Sequence, residues 1–220
     1  MLDVPPIPGT RTGSYLFHSE RFRKSYEIVR NRYQTASPSR PGPPRWGPAS
    51  APGGVRRGLL EKAQGYANQA IKFNPGNAAA HFELSRADGR LAQFMGILQS
   101  LNLAADIRWA LAKATEFDPS MDEAYVALGL WNAELISKGF IVTQATGADR
   151  DQVVPNFQKT IALAPNTIGH RVEYANALLN RNANRPIAVA QLQKAMSLTP
   201  VTFWGRQDQA TARKTLDALK

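Results

Sequence analysis

Three histidines, His18, His81 and His170, are the only imidazoles in a 220-residue chain that contains no cysteine. Without cysteine, disulfide scaffolds, thiolate zinc sites, iron–sulfur clusters and thiol catalysis are excluded. His81-Phe82-Glu83 has the H-x-E spacing of the zinc deaminases, but that chemistry needs two cysteine ligands further on, which this chain does not have. The sequence has no H-E-x-x-H, G-x-S-x-G, G-x-G-x-x-G or G-x-x-x-x-G-K-[ST] motif. The carboxylate pairs Asp122-Glu123 and Asp149/Asp151 fall where helices are predicted to begin, and there the helix dipole favours negative charge. His81 and His170 read as polar residues at helix starts. No catalytic residue, metal site or cofactor is expected, so the chain reads as a binding protein and not an enzyme.

The elements that must carry such a role are uneven along the chain. The formal charge of +10 suggests nucleic acid or an anionic membrane. Its distribution argues otherwise: residues 1–57 hold ten Lys/Arg against three Asp/Glu, and the other 163 residues hold seventeen against fourteen. Most of the prolines also precede residue 53, where they block helix interiors and central strands. Residues 1–57 are therefore a basic, Pro/Arg-rich arm, with 36–57 as a stiff extended linker. Within the arm, Phe22, Tyr26, Val29 and Tyr33 recur at helical spacing and predict an amphipathic helix over 14–35.

No apolar run follows a basic stretch at the start, so no secretory signal is read and the chain is expected to be soluble and cytoplasmic as written. A mis-assigned start, or an Arg-rich leader acting as a transit peptide, would instead place it in the periplasm or an organelle. The longest uncharged stretch, 91–105, is too short and polar to span a bilayer.

After residue 58 the chain repeats. QAIKFNP, KATEFDP, KTIALAP and KAMSLTP end at Pro75, Pro119, Pro165 and Pro200, each with a small residue five before the proline and an apolar one two before it. This is the pattern of a helix end: the small residue lets a neighbour approach, the apolar one packs the last turn, and proline stops the helix. Nine and ten residues after the first three prolines come Leu84-Ser85, Leu128-Gly129 and Tyr174-Ala175, a large residue followed by a small one, inside segments with amphipathic spacing. Pro186 fits at the start of a helix, and Pro155 means that its helix either begins near Asp151 or is kinked, of which the late start is expected.

These residues resemble the tetratricopeptide repeat (TPR) family, whose unit is a pair of antiparallel helices. The resemblance implies an all-α, right-handed helical solenoid over 58–220, of about three helix pairs plus a capping helix at 205–220. In that cap Ala212, Leu216 and Leu219 face inward, and Arg206, Arg213, Lys214 and Asp217 face water. The 14–35 helix either covers the other end of the stack or stays free to seek a partner. The prolines are 44, 46 and 35 residues apart, so two units carry extra residues, around Phe94 to Leu103 and Gly139 to Ala148. Such lengths are similar to the TPR proteins associated with TRAP transporters and to the microtubule-dynamics regulators.

The same resemblance places a groove along the first helices, lined by Phe82, Arg86 and Arg90, by Val126, Leu130 and Glu134, and by Val172, Asn176 and Asn180. Chaperone-tail binders of the family have a Lys where this chain has Phe82 or Val126, so an acidic chaperone tail is disfavoured. Arg90 and Glu134 are expected to pair across the groove, which leaves Arg86 as an anchor for a ligand carboxylate. The two inserts are apolar: Phe94, Met95, Ile97, Leu98 and Leu101 in one, Phe140, Ile141 and Val142 in the other. They form either a joint exposed edge for a partner or longer helices packed on one another.

The leading expectation is a protein-interaction scaffold that binds a peptide or protein partner. One alternative is a carrier of a small anionic ligand tied to a transport system. A further one is association with nucleic acid or membrane through the arm, with nucleic acid disfavoured.

Overall fold

The computed structural model describes residues 53–95, 97–180 and 183–219. The expected helix at 14–35 and most of the basic arm lie outside the described residues. Nine α-helices make up the described part: α1 (Gly53–Phe73), α2 (Ala78–Leu91), α3 (Ile97–Phe117), α4 (Asp122–Ser137), α5 (Phe140–Thr146), α6 (Val153–Leu163), α7 (Ile168–Asn180), α8 (Arg185–Ser197) and α9 (Phe203–Ala218). Short 3-10 turns at Ala92–Phe94 and Arg150–Gln152 precede α3 and α6. The pairs are α2 with α3, α4 with α6, and α7 with α8, with α1 before them and α9 closing the stack. The fold is an all-α, TPR-like solenoid.

The first three proline-ended segments build nearly identical turns. The amides of Asn74, Asp118 and Ala164 donate to the carbonyls of Ala70, Ala114 and Thr160, and those of Asn77, Met121 and Thr167 donate back to the residue before each proline. Of the small residues five before the proline, Ala114, Thr160 and Ala195 are fully buried and Ala70 is half-buried. Pro155 lies in the first turn of α6, where no intrahelical amide is lost. Pro186 lies in the first turn of α8, after Asn184, whose side chain accepts from the amide of Ile187.

Two expectations are corrected and one open alternative is decided. Residues 53–57, read as linker, are helical: no proline follows Pro52 until Pro75, and Arg57 pairs with Glu61 one turn on at 2.8 Å. The apolar residue two before the proline does not always pack the last turn, since Phe73 is 80% exposed and Phe117 41% exposed. Phe117 lies against the Gly76 turn and the ring of His81, both of which its own pair supplies. Of the two forms left open for the inserts, the first takes the longer helix: it adds turns to α3, which has neither glycine nor proline between Ile97 and Phe117.

The core forms two clusters that meet along α4. One gathers Val153, Phe157, Ile168, Val172, Tyr174, Leu178, Leu192 and Ala212 between α6, α7, α8 and α9. The other holds Ala104, Leu111, Trp131, Leu135 and Ala148, and Ile136 packs against both. Among the described residues no helix is long and apolar enough to cross a membrane.

Candidate partner-binding site

The predicted groove positions divide by depth. Val172 is buried in the larger core, and Val126 and Leu130 are half-buried against it, so this part of the row is mostly structural. Phe82 is half-buried against the smaller cluster, and the Arg86 guanidinium lies 5.7 Å from its ring centroid. Arg86 also donates to Glu83, one turn before it, at 2.6 Å. Arg90 is half-buried; burial and the neighbouring Arg86 lower its pKa, and the nearby Glu173 carboxylate opposes that shift. Asn176 is half-buried and Asn180 exposed. The expected pair of Arg90 with Glu134 is not what forms: Glu134 is exposed and pairs with Lys138, one turn along its own helix, at 2.8 Å. A local partner four residues away costs less ordering than one on another helix.

The second insert supplies a better-defined surface. Gly139 (φ 100°) and Gly147 (φ 67°) allow the chain to leave α4, form the two turns of α5 and leave again. Three contacts fix that excursion on α3 and α4. Arg108 donates to the carbonyl of Gly147 at 3.1 Å. Buried Asn132 accepts from the amide of Asp149 at 2.7 Å. Val142 packs on the cluster of Trp131, Leu135 and Ala148. Trp131 is itself anchored by its indole N–H, which donates to the carbonyl of Ala104 at 3.0 Å. The side chains of Phe140 and Ile141 point away from all of this, 77% and 82% exposed. In the first insert Phe94 and Met95 are half-buried, and Ile97 and Leu98 open α3. The two inserts thus take different forms, an extended helix and an added one.

Sequence reasoning missed the polar links between units. His170 Nε2 lies 2.6 Å from Asp122 Oδ2, joining α7 to the start of α4, and the Thr160 hydroxyl donates to the carbonyl of Asp122 at 3.2 Å. Burial works against ionisation of Asp122, but the hydrogen bond to His170 and that from Glu123 hold its pKa below the usual carboxylate value. Burial and the adjacent Asp122 push Glu123 the other way. His81 Nε2 donates to the carbonyl of Pro75 at 2.8 Å, and Arg171 donates to the carbonyl of Pro165 at 2.9 Å and to Gln191 at 2.9 Å. Both residues stand six after their proline, so the repeat offset was the signal that could have found Arg171. Among the described residues no group of three or more His, Asp or Glu is placed to hold a metal ion.

The family model described as Regulator of microtubule dynamics protein 1-3 matches residues 54–220. The crystal structure of a thermophilic TPR protein of Thermus thermophilus is similar in fold, with a TM-score of 0.57 at 18% identity over 93% of this chain and 96% of that one. No curated protein matches the chain.

Proposed function

The chain belongs to the Regulator of microtubule dynamics protein 1-3 family, and from that membership we propose that it is a non-catalytic scaffold that holds a partner protein through its inserted edge. The observation that carries this reading is the outward display of Phe140 and Ile141 on a helix fixed by Arg108, Asn132 and Val142. Burying two such side chains against a partner is worth about 1.5–3 kcal/mol each. A surface already held rigid loses little further freedom on binding. The family description directs the search for that partner to microtubules or a protein bound to them.

Co-sedimentation of the full chain with polymerised tubulin, alone and with microtubule-associated proteins added back, tests this. Phe140→Ser with Ile141→Ser is expected to weaken capture about tenfold or more while helical circular dichroism stays unchanged. Asn132→Ala, which keeps both apolar residues but releases α5, should weaken it in the same direction. Capture that is intact in the double Ser variant overturns the edge as the binding surface.

A further inference from the structure

The α8/α9 end of the solenoid carries a cleft of about 320 Å³, lined by Val189 and Met196 on one wall and by Arg213, Leu216 and Leu219 on the other. Its register can be read against the α3/α4 groove by counting from the repeat prolines. Arg108 and Val189 each lie eleven residues before Pro119 and Pro200; Asn132 and Arg213 lie thirteen after them, and Leu135 and Leu216 sixteen after. In the α3/α4 groove these three places hold α5 and its flank. Arg108 binds the Gly147 carbonyl, Asn132 binds the Asp149 amide, and Leu135 shares a cluster with Val142 and Ala148. At α8/α9 the same register is an open cleft.

We propose that this cleft is a second docking site, separate from the Phe140–Ile141 edge, and that it takes an acidic amphipathic helix of a partner protein, seated as α5 is seated in its own groove. The changes in register specify the chemistry. Val189 stands where Arg108 grips a carbonyl, so that place offers apolar contact, and Gln193 is the one polar side chain beside Val189 and Met196 on that wall. Arg213 stands where Asn132 accepts from an amide; a guanidinium only donates, so that wall calls for a carboxylate. Exposed Arg206 and Lys214 continue the positive charge along α9 into an adjoining cleft of about 470 Å³. Asp217 is the one carboxylate in either lining, against three cations. An acidic helix with an apolar stripe satisfies both walls.

The test is fluorescence anisotropy of a designed helical peptide of about 15 residues, with Leu at i, i+3, i+4 and i+7 and Glu on both flanks, titrated with the full chain. Saturable binding is expected, weakened about tenfold by Arg213→Glu and recovered in that variant by a peptide whose Glu residues are replaced by Lys. Val189→Asp should weaken it as well, and Phe140→Ser with Ile141→Ser should not. Three results overturn the proposal: no binding, binding unaffected by Arg213→Glu, or equal binding of a peptide with the same charge and scrambled Leu spacing. The last would show a general polyanion surface, as would equal retention of RNA or anionic vesicles.

Discussion

Gly129 sits in the interior of α4, where alanine would favour the helix by about 1 kcal/mol, because a Cβ there would come 2.8 Å from Cε2 of Phe157. Phe157 is fully buried and stacked on Tyr174 at 4.9 Å, so it has nowhere to move. Gly129→Ala is therefore expected to destabilise the fold by about 1–3 kcal/mol in urea denaturation despite its better helix propensity. Adding Phe157→Leu should return part of the loss if the clash is the cause. Asp122 gives a second residue-scale prediction. Its folded pKa is depressed, so its contribution is present above its unfolded pKa and is lost as pH falls through the folded value. Asp122→Asn should cost about 1 kcal/mol at neutral pH, and its difference from the wild type should close below the ordinary carboxylate range. Asp88 carries the opposite sign: burial raises its pKa, partly offset by the hydrogen bond from Gln64 at 2.7 Å. Asp88→Asn should gain stability at neutral pH, and the gain should vanish on acidification. The small residue after Leu128 was legible as a close approach because the repeat aligned it. The partner of Asp122 was not, because His170 is 48 residues away and local pattern carries no information on which helix starts meet.

At the scale of elements, helix ends decide where the solenoid holds. The Gln209 side-chain amide donates to the carbonyls of Met196 at 3.0 Å and Leu198 at 2.9 Å, so α9 satisfies the end of α8 that a fourth proline turn leaves open. Gln209→Ala should cost about 1–2 kcal/mol, the cost of stranding these acceptors. Amide exchange in α9 should quicken more than in α7. The helix ends themselves were legible from proline and its flanking residues. What the inserts become was less so. Between Ile97 and Phe117 nothing interrupts a helix, so the extra residues simply lengthen α3. Gly139 and Gly147 take positive φ, so the other insert breaks into a separate helix. Both segments are apolar, and composition alone does not separate these outcomes. The pairing expected across the groove was not legible, because each charge finds a local partner: Glu134 has Lys138 within one turn and Arg86 has Glu83.

For the whole molecule, the number of helix pairs followed from the proline spacing, and stability along the stack follows from burial. In α7, nine of thirteen residues are buried, with neighbours on several sides. In α1, Ala67 is the only fully buried residue among those described, and Tyr66 is 46% exposed. A solenoid of nearest-neighbour interfaces should therefore open from its ends. Native-state hydrogen exchange is expected to be fastest in α1 and slowest in α7; uniform protection through the stack would contradict this. The repeats carry little of the net charge, which lies mostly in residues 1–57, so salt should affect the solenoid's own contacts only weakly.

The helix that presents Phe140 and Ile141 is held at its far end through main-chain atoms, the carbonyl of Gly147 and the amide of Asp149. Those atoms belong to the backbone at 147 and 149, not to the side chains at 140 and 141. The outward positions can therefore be exchanged for others of quite different character without disturbing what seats the helix. On the function proposed above, recognition and stability are written in different atoms of the same segment, so two substitutions are expected to redirect the scaffold to a new partner while its folding is left alone.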